Sequence, residues 1–196
     1  MSRDSRSARL KGESAETLTV TTGDSAENID LDSAFEKKER RRPTAKGAVV
    51  FAGSSTIRFW STLARDIAPL PAVQRGFGGN RPKSVAQMQQ LYDTLLTRLH
   101  DRLPRARIVV LATFPSPLNA RRAGEIEAVN EYLRETVENK PWLDLLDGNE
   151  ALKTASGDPD RSLFRLDRVH LNKEGYARWA QILRPKLLAH WREKLN

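Results

Sequence analysis

Two short segments made almost entirely of apolar residues do most to limit how this chain can fold. Residues 47–53 read Gly-Ala-Val-Val-Phe-Ala-Gly, and residues 107–114 read Arg-Ile-Val-Val-Leu-Ala-Thr-Phe. Neither segment alternates apolar with polar residues, so a strand formed by either one must be buried on both faces. Strands of this kind are typical of parallel sheets, which helices cover on both sides. The two segments therefore predict an α/β fold.

Helical and extended patterns alternate along the rest of the chain. Two more strands are predicted, at residues 72–77 and 142–147. Apolar residues at helical spacing predict helices at residues 57–64, 84–103, 126–139 and from 173 onward. Strands that alternate with helices form a parallel sheet, and ligands bind at the carboxyl ends of its strands. The loops after the four strands are therefore where a functional site is expected.

Composition separates a tail from a domain. The chain has 196 residues, with 33 Lys and Arg against 25 Asp and Glu, which gives a formal charge of +8. Residues 1–45 hold 9 basic and 9 acidic residues and few apolar ones, so this segment buries too little surface to fold by itself. We predict a disordered or partly helical tail over 1–45 and one domain over 46–196. The whole charge excess then belongs to the domain.

Several classes of protein are disfavoured by the composition. The chain has no cysteine, which excludes disulfides, thiolate metal sites and a cysteine nucleophile. It has no apolar run near the ~20 residues of a membrane span and no apolar segment typical of a signal peptide at its start. We predict a cytoplasmic protein with no membrane partner. The charge alone would allow nucleic-acid binding, but no motif accompanies it, so we predict no nucleic-acid partner.

Serines follow the first predicted strand directly. Gly53 is followed by Ser54 and Ser55, at the point where a helix is expected to begin. A hydroxyl placed there stands beside helix N–H groups that can receive a developing negative charge. Serine is a nucleophile only when a base lies within hydrogen-bond reach. The alternative is that both serines only cap the helix.

One of the three histidines has a neighbour that would suit such a base. His100 and His190 lie in charged helical segments and are expected to be solvated, whereas His170 lies in a loop with Asp167 three residues ahead. A carboxylate at that spacing can bond Nδ1 and leave Nε2 to take a proton from serine. The alternative is a structural histidine beside an aspartate that caps a turn.

A glycine-rich segment ends the second predicted strand. Residues 76–80 read Gly-Phe-Gly-Gly-Asn, and glycines allow the backbone to approach a reacting group closely. The N–H of Gly79 is a candidate oxyanion donor, and the side chain of Asn80 is another. An ordinary Gly-Gly-Asn turn explains the same residues equally well.

Taken together, these motifs resemble the SGNH/GDSL hydrolase superfamily over roughly residues 30–196. The likeness is greatest to bacterial members whose first motif reads Gly-Ser-Ser-Ser-Ile-Arg-x-Trp. The matching segments are Gly-Ser-Ser-Thr-Ile-Arg-Phe-Trp at 53–60, Arg-Gly-Phe-Gly-Gly at 75–79 and Asp-Arg-Val-His-Leu-Asn at 167–172. The resemblance implies a flavodoxin-like three-layer α/β/α sandwich with a short parallel sheet. It also implies that Ser55, His170 and Asp167 form a catalytic triad and that Gly79 lies in the oxyanion hole.

The chain departs from this family after its second motif. The family has a further central strand there, ending in a Gly-x-Asn loop whose asparagine completes the oxyanion hole. No apolar strand run occurs here between Asn80 and Pro104. We therefore expect a sheet without that strand, in which residues 107–114 pair directly with residues 48–52. Asn80 is either a remnant of the lost loop or simply the residue after the second motif.

The resemblance implies a serine esterase acting on acyl-ester or O-acetyl groups of a small-molecule substrate. Such a reaction needs no metal or organic cofactor. By analogy with the fold, Arg58, Arg75 and residues 115–117 are expected at the mouth of the site. The alternative is a catalytically weak or inactive relative, because the loss of one oxyanion donor costs ~10²–10³-fold in turnover. The oligomeric state and the acyl and alcohol specificity are left open by the sequence.

Overall fold

A computed structural model describes residues 36, 37, 39–41, 43–45, 47–76 and 84–193. The strands are β1 (Val49–Gly53), β2 (Ala72–Gly76), β3 (Arg107–Leu111) and β4 (Leu143–Leu146). The α-helices are α1 (Ser55–Phe59), α2 (Leu63–Asp66), α3 (Val85–Arg102), α4 (Ala123–Glu138) and α5 (Lys173–Glu193). Short 3₁₀ turns lie at Ala120–Arg122, Asn149–Leu152 and Arg161–Leu163. Within these described ranges, no helix has both the length and the apolar character required to cross a membrane.

The strands form one parallel sheet in the order β2-β1-β3-β4. Val50 of β1 pairs with Val73 of β2 on one side and with Ile108 of β3 on the other. The predicted α/β fold with a short parallel sheet is confirmed. Strand β3 also lies directly beside β1, as the lack of a strand run between residues 80 and 104 predicts.

Strand β1 is the centre of two separate apolar cores. All five of its residues are buried. Successive side chains of a strand point to opposite faces of the sheet. Val49 and Phe51 pack in a core with α1, α2 and α5, whereas Val50 and Ala52 pack in a core with α3 and α4. Helices therefore cover both faces, which gives three layers and explains why the strand residues do not alternate in polarity.

Helix α3 follows Ser84 directly, in agreement with the predicted helix over residues 84–103. The Ser84 hydroxyl accepts a hydrogen bond of 3.2 Å from the N–H of Gln87, which satisfies one of the free donors of the first turn. The apolar face of the helix, which includes Leu91, Leu95 and Leu99, is buried against the sheet. This helix is the crossover that brings the chain from the β2 side of the sheet back to β3.

Two expectations about local structure are wrong. Residues 57–64 do not form one helix, because the chain leaves helical geometry at Trp60, where ψ is 72°. The buried Trp60 indole stacks on Trp179 at 5.6 Å, and its Nε1 donates to Asp66 at 2.8 Å. The core position of this side chain accounts for the break between α1 and α2.

His100 is the second of these errors. Instead of being solvated, its imidazole stacks on Trp142, with ring centroids 4.1 Å apart and planes 6° from parallel. Its Nδ1 atom is buried and forms no hydrogen bond with the described residues. The side chain of His190 lies outside what the structure describes.

The chain just before the predicted domain boundary contacts the domain. The Arg75 guanidinium of β2 is 8% exposed, forms an ion pair with Glu39 and donates to the Thr44 hydroxyl at 2.8 Å. Glu36 pairs with Arg102 of α3 at 3.1 Å. The structure does not describe residues 1–35, so the division between a tail over 1–45 and a domain over 46–196 stays a prediction.

Gly76 lies in the sheet at a position where neighbouring backbone atoms leave no room for a side chain. A Cβ atom there would lie 2.3 Å from the backbone nitrogen of Arg58 and 2.8 Å from its Cα. We expect Gly76→Ala to lower the free energy of unfolding by about 1–3 kcal/mol, because backbone atoms must shift to admit the methyl group. The measurement is urea denaturation followed by circular dichroism.

Gly124→Ala is the matched control for this prediction. Gly124 lies in α4, and a Cβ atom there would meet nothing within 4 Å. The same added methyl group should therefore raise stability by about 0.5–1 kcal/mol through better helix propensity and a less flexible unfolded chain. Equal effects of the two substitutions would contradict the steric explanation for Gly76.

Candidate active site

Ser55 is the first residue of α1, directly after β1. Ser54 takes the N-cap position with extended backbone angles, φ −76° and ψ −161°, but its hydroxyl makes no capping hydrogen bond. The Ser55 hydroxyl is instead 2.9 Å from Nε2 of His170. Ser55 is therefore not explained as a helix cap, because its hydroxyl lies within hydrogen-bond distance of His170.

Ser55, His170 and Asp167 form one continuous chain of hydrogen bonds. His170 lies 115 residues after Ser55, with its Nε2 atom 2.9 Å from the serine Oγ. On the other side of the ring, Nδ1 lies 2.8 Å from Oδ2 of Asp167. With Asp167 ionised, the ring proton belongs on Nδ1, so Nε2 can accept the serine O–H.

A tight loop holds Asp167 in place. Its Oδ1 accepts hydrogen bonds from the N–H groups of Val169 and His170, each at 2.9 Å. Arg168 between them has φ of 58°, in the left-handed region that a turn of this kind requires. The hydrogen bond from the His170 N–H, followed by that from its ring, lowers the pKa of Asp167 to about 2. The carboxyl is therefore ionised at neutral pH and oriented by its own loop.

The imidazole of His170 also contacts an aromatic ring from α1. Phe59 meets it edge to face, with ring centroids 4.9 Å apart and an interplanar angle of 89°. The guanidinium groups of Arg58 and Arg165 lie 5.7 Å and 5.3 Å from the centroid of the same Phe59 ring. The sequence interpretation missed Phe59 and Arg165. The position of Phe59 four residues after Ser55, on the same helix face, was the available signal.

The loop that carries Asp167 and His170 is fastened at the start of α5. The Asn172 side chain accepts from the N–H of Gly175 at 2.9 Å and donates to two main-chain carbonyls just before the loop. A Cβ atom on Gly175 would lie 2.3 Å from the Leu163 carbonyl, so only glycine fits this contact. The Tyr176 hydroxyl donates to the Thr56 carbonyl at 2.8 Å, and burial raises the pKa of Tyr176 to about 12. This contact ties the histidine loop to the serine helix.

The predicted oxyanion residues Gly79 and Asn80 lie outside the described residues. The N–H of Ser55 is described, and as the first residue of a helix it has no acceptor four residues earlier within that helix. Two buried asparagines near the end of β3 hydrogen-bond to the main chain that follows this strand. Asn130 and Asn149 each donate their side-chain amide to the Thr113 carbonyl at 2.9 Å.

The residues expected at the mouth of the site have different positions. Arg58 is exposed and contacts Phe59, whereas Arg75 is buried beneath Glu39, which corrects the expectation that Arg75 lines the mouth. The loop that begins with residues 115–117 does reach the histidine loop. The N–H of Leu118 donates to the Arg168 carbonyl at 3.1 Å.

Solved structures of proteins from several bacteria are similar to this one. A putative platelet activating factor from Streptococcus pneumonia has a TM-score of 0.56 and 13% identity, covering 80% of this chain and 91% of its own. A GDSL-like lipase from Bacteroides thetaiotaomicron has a TM-score of 0.55 and 10% identity, covering 81% and 97%. A putative acylhydrolase from Bacteroides fragilis has a TM-score of 0.54 and 13% identity, covering 79% and 96%. At these identities the likeness shows the fold alone.

The match to a family covers most of the sequence. No curated protein matches the chain significantly. The family model described as "GDSL-like Lipase/Acylhydrolase family" matches residues 21–178, which include all three of the segments that carry the predicted motifs. This match and the fold support a hydrolase of ester bonds in general. The chain belongs to the GDSL-like lipase/acylhydrolase family.

Proposed function

We propose that this protein is a serine esterase that hydrolyses acyl-ester or O-acetyl groups of small molecules. The observation that carries the proposal is the pair of hydrogen bonds from Ser55 to His170, 2.9 Å, and from His170 to Asp167, 2.8 Å. These distances lie within the reach that proton transfer requires. Family membership supports the same class of reaction.

The reaction proceeds in two halves. As Ser55 Oγ attacks the ester carbonyl carbon, His170 Nε2 takes the hydroxyl proton and later gives it to the departing alcohol oxygen. A water molecule then attacks the acyl-enzyme and gives its proton to Nε2, which returns it to Ser55 as the acid departs. Asp167 keeps the proton on Nδ1 and stabilises the imidazolium form. No step needs a metal or an organic cofactor.

The negative charge on the carbonyl oxygen needs hydrogen-bond donors. We assign this role to the N–H groups of Ser55 and Gly79, with the Asn80 side chain as a further candidate. The N–H of Ser55 lies just after β1, which is paired with a strand on both sides. Backbone donors of this kind are fixed before the reaction begins, which is why they stabilise the transition state well.

A second candidate function is a weak or inactive member of the family. It is favoured by the direct pairing of β1 with β3, which leaves no strand between them to carry a Gly-x-Asn loop. The side-chain amides of Asn130 and Asn149 each donate to the Thr113 carbonyl, which fixes their position there. A missing donor would reduce turnover by ~10²–10³-fold.

Replacing the nucleophile tests the first proposal. We expect Ser55→Ala to reduce hydrolysis of p-nitrophenyl acetate to the uncatalysed rate, because the alanine has no attacking oxygen. Ser54→Ala is the matched control, since the neighbouring hydroxyl forms no capping bond. It should retain activity within several-fold of the wild type. Equal rates for Ser55→Ala and wild type would exclude Ser55 as the nucleophile.

An active-site probe separates the two candidate functions. We expect a fluorophosphonate to label folded wild-type protein once per chain, at Ser55, because a serine activated by histidine attacks phosphorus readily. Intact-mass measurement and peptide mapping report the stoichiometry and the position. Ser55→Ala should remain unlabelled. A folded wild-type sample that takes up no label would support the inactive alternative.

Asp167→Asn tests the role of the carboxylate. We expect kcat to fall by about 10³–10⁴-fold, because an amide favours the wrong imidazole tautomer.

In the wild type the pKa of Asp167 is lowered from 3.8 to about 2, so this group stays ionised above that value. Its favourable contribution to folding is therefore present above pH 3.8 and is lost as the pH falls towards 2.

The pH profile of kcat/KM checks the same assignment. The profile should show no protonation of Asp167 between pH 3 and 5, because the lowered pKa keeps this carboxyl ionised in that range. A protonation step in that range that is absent from Asp167→Asn would contradict this assignment.

A further inference from the structure

Three arginines belong to the two segments that carry Ser55 and His170. Arg58 lies on α1 three residues after the serine, and Arg165 and Arg168 belong to the loop that carries Asp167 and His170. All three are exposed, and none forms an ion pair with any residue of the described ranges. The carboxylate in this loop, Asp167, is already bound to His170 and to two N–H groups. Arg58 and Arg165 therefore leave their positive charge available close to the ring that contacts His170.

Several arginines elsewhere in the fold are neutralised by nearby carboxylates. Arg107 forms a two-pronged pair with Asp144 at 2.8 Å and 2.6 Å. On the surface of α4, Arg134 pairs with both Glu127 and Glu131. Arg58 and Arg165 have no such carboxylate partner in the described part of the chain, so their charge is not neutralised by an ion pair there.

Two of these cations are positioned by the ring that contacts the catalytic histidine. The Arg58 and Arg165 guanidinium groups lie 5.7 Å and 5.3 Å from the centroid of Phe59, whose ring centroid is 4.9 Å from that of His170. A guanidinium that lies over an aromatic ring keeps N–H groups available for a carboxylate or phosphate. Arg165 uses its Nε to donate to the Leu171 carbonyl at 3.0 Å, which fixes the side chain and leaves its terminal nitrogens for a ligand.

We propose that the natural substrate is an ester that also carries an anionic group, held by Arg58 and Arg165 while Ser55 attacks the ester carbonyl. The proposal rests on the esterase function proposed above and adds to it the charge class of the substrate. The excess of positive charge, 24 basic against 16 acidic residues over 46–196, acts in the same direction by attracting anions to the domain. The anionic group belongs to either the acyl or the alcohol part, and the experiment separates these cases.

The experiment compares kcat/KM for two matched pairs of esters. On the alcohol side, 3-acetoxybenzoate is compared with phenyl acetate, which releases a phenol of similar acidity. On the acyl side, the p-nitrophenyl monoester of adipic acid is compared with p-nitrophenyl hexanoate. We expect the anionic member of at least one pair to be preferred by about 10-fold, since two surface cations contribute modestly in water. This preference should fall as sodium chloride is raised, because salt screens exposed charges.

Substitutions of Arg58 assign the preference to the proposed residues. Arg58→Gln should lower the anionic-to-neutral ratio of kcat/KM by about 3-fold or more, and Arg58→Lys should restore part of it because the charge returns. Arg105→Gln is the matched control. Arg105 is exposed in the turn just before β3, at the opposite end of the sheet from Ser55, so its loss should leave the ratio unchanged.

The outcomes distinguish failure of this inference from failure of the proposed function. Ser55-dependent hydrolysis of the neutral esters without any anionic preference would overturn the inference and leave the esterase function standing. A preference that persists in Arg58→Gln and in the Arg58→Gln, Arg165→Gln double variant would also overturn it. If wild-type protein hydrolyses none of the four esters, both the esterase function and the charge preference fail.

Discussion

Strand β1 is paired on both edges and buried on both faces, and the positions of the other elements follow from it. Its main chain bonds to β2 and β3, and its side chains reach into the two cores. Five residues held in this way leave the chain little freedom at Gly53, so Ser55 leaves the sheet at a defined point. The position of Ser55 is therefore set by the backbone of the strand that precedes it.

The histidine side of the site is built differently, from bonds that close within one loop. Asp167 orients itself and His170 through contacts over three residues or fewer, which any chain with this local sequence could form. What brings that loop to Ser55 is long-range: the Tyr176 hydroxyl on the Thr56 carbonyl and the edge of Phe59 on the imidazole. The distance from Ser55 to His170 therefore depends on how α5 packs against α1.

The direct β1–β3 pairing shows how the sheet remains continuous without a further central strand. Parallel strands need a crossover of a dozen or more residues, and α3 supplies it. The register of β3 beside β1 then places Thr113 at the carboxyl edge, where Asn130 and Asn149 hold its main chain. This pairing restores the backbone hydrogen bonds of β1.

The parallel α/β fold and the strand that ends at Gly53 could be predicted from the sequence, as could Ser55, Asp167 and His170 as candidates for one site, because apolar runs and short motifs are local signals. The sequence interpretation was wrong about His100 and Arg75. Trp142 stacks on the imidazole, and Glu39 pairs with the buried guanidinium, only in the folded chain. The sequence interpretation also missed Phe59 and Arg165. The Phe59 ring contacts both the His170 imidazole and the Arg165 guanidinium. These contacts could not be predicted from the sequence, because each joins residues that are far apart in the chain and meet only through packing.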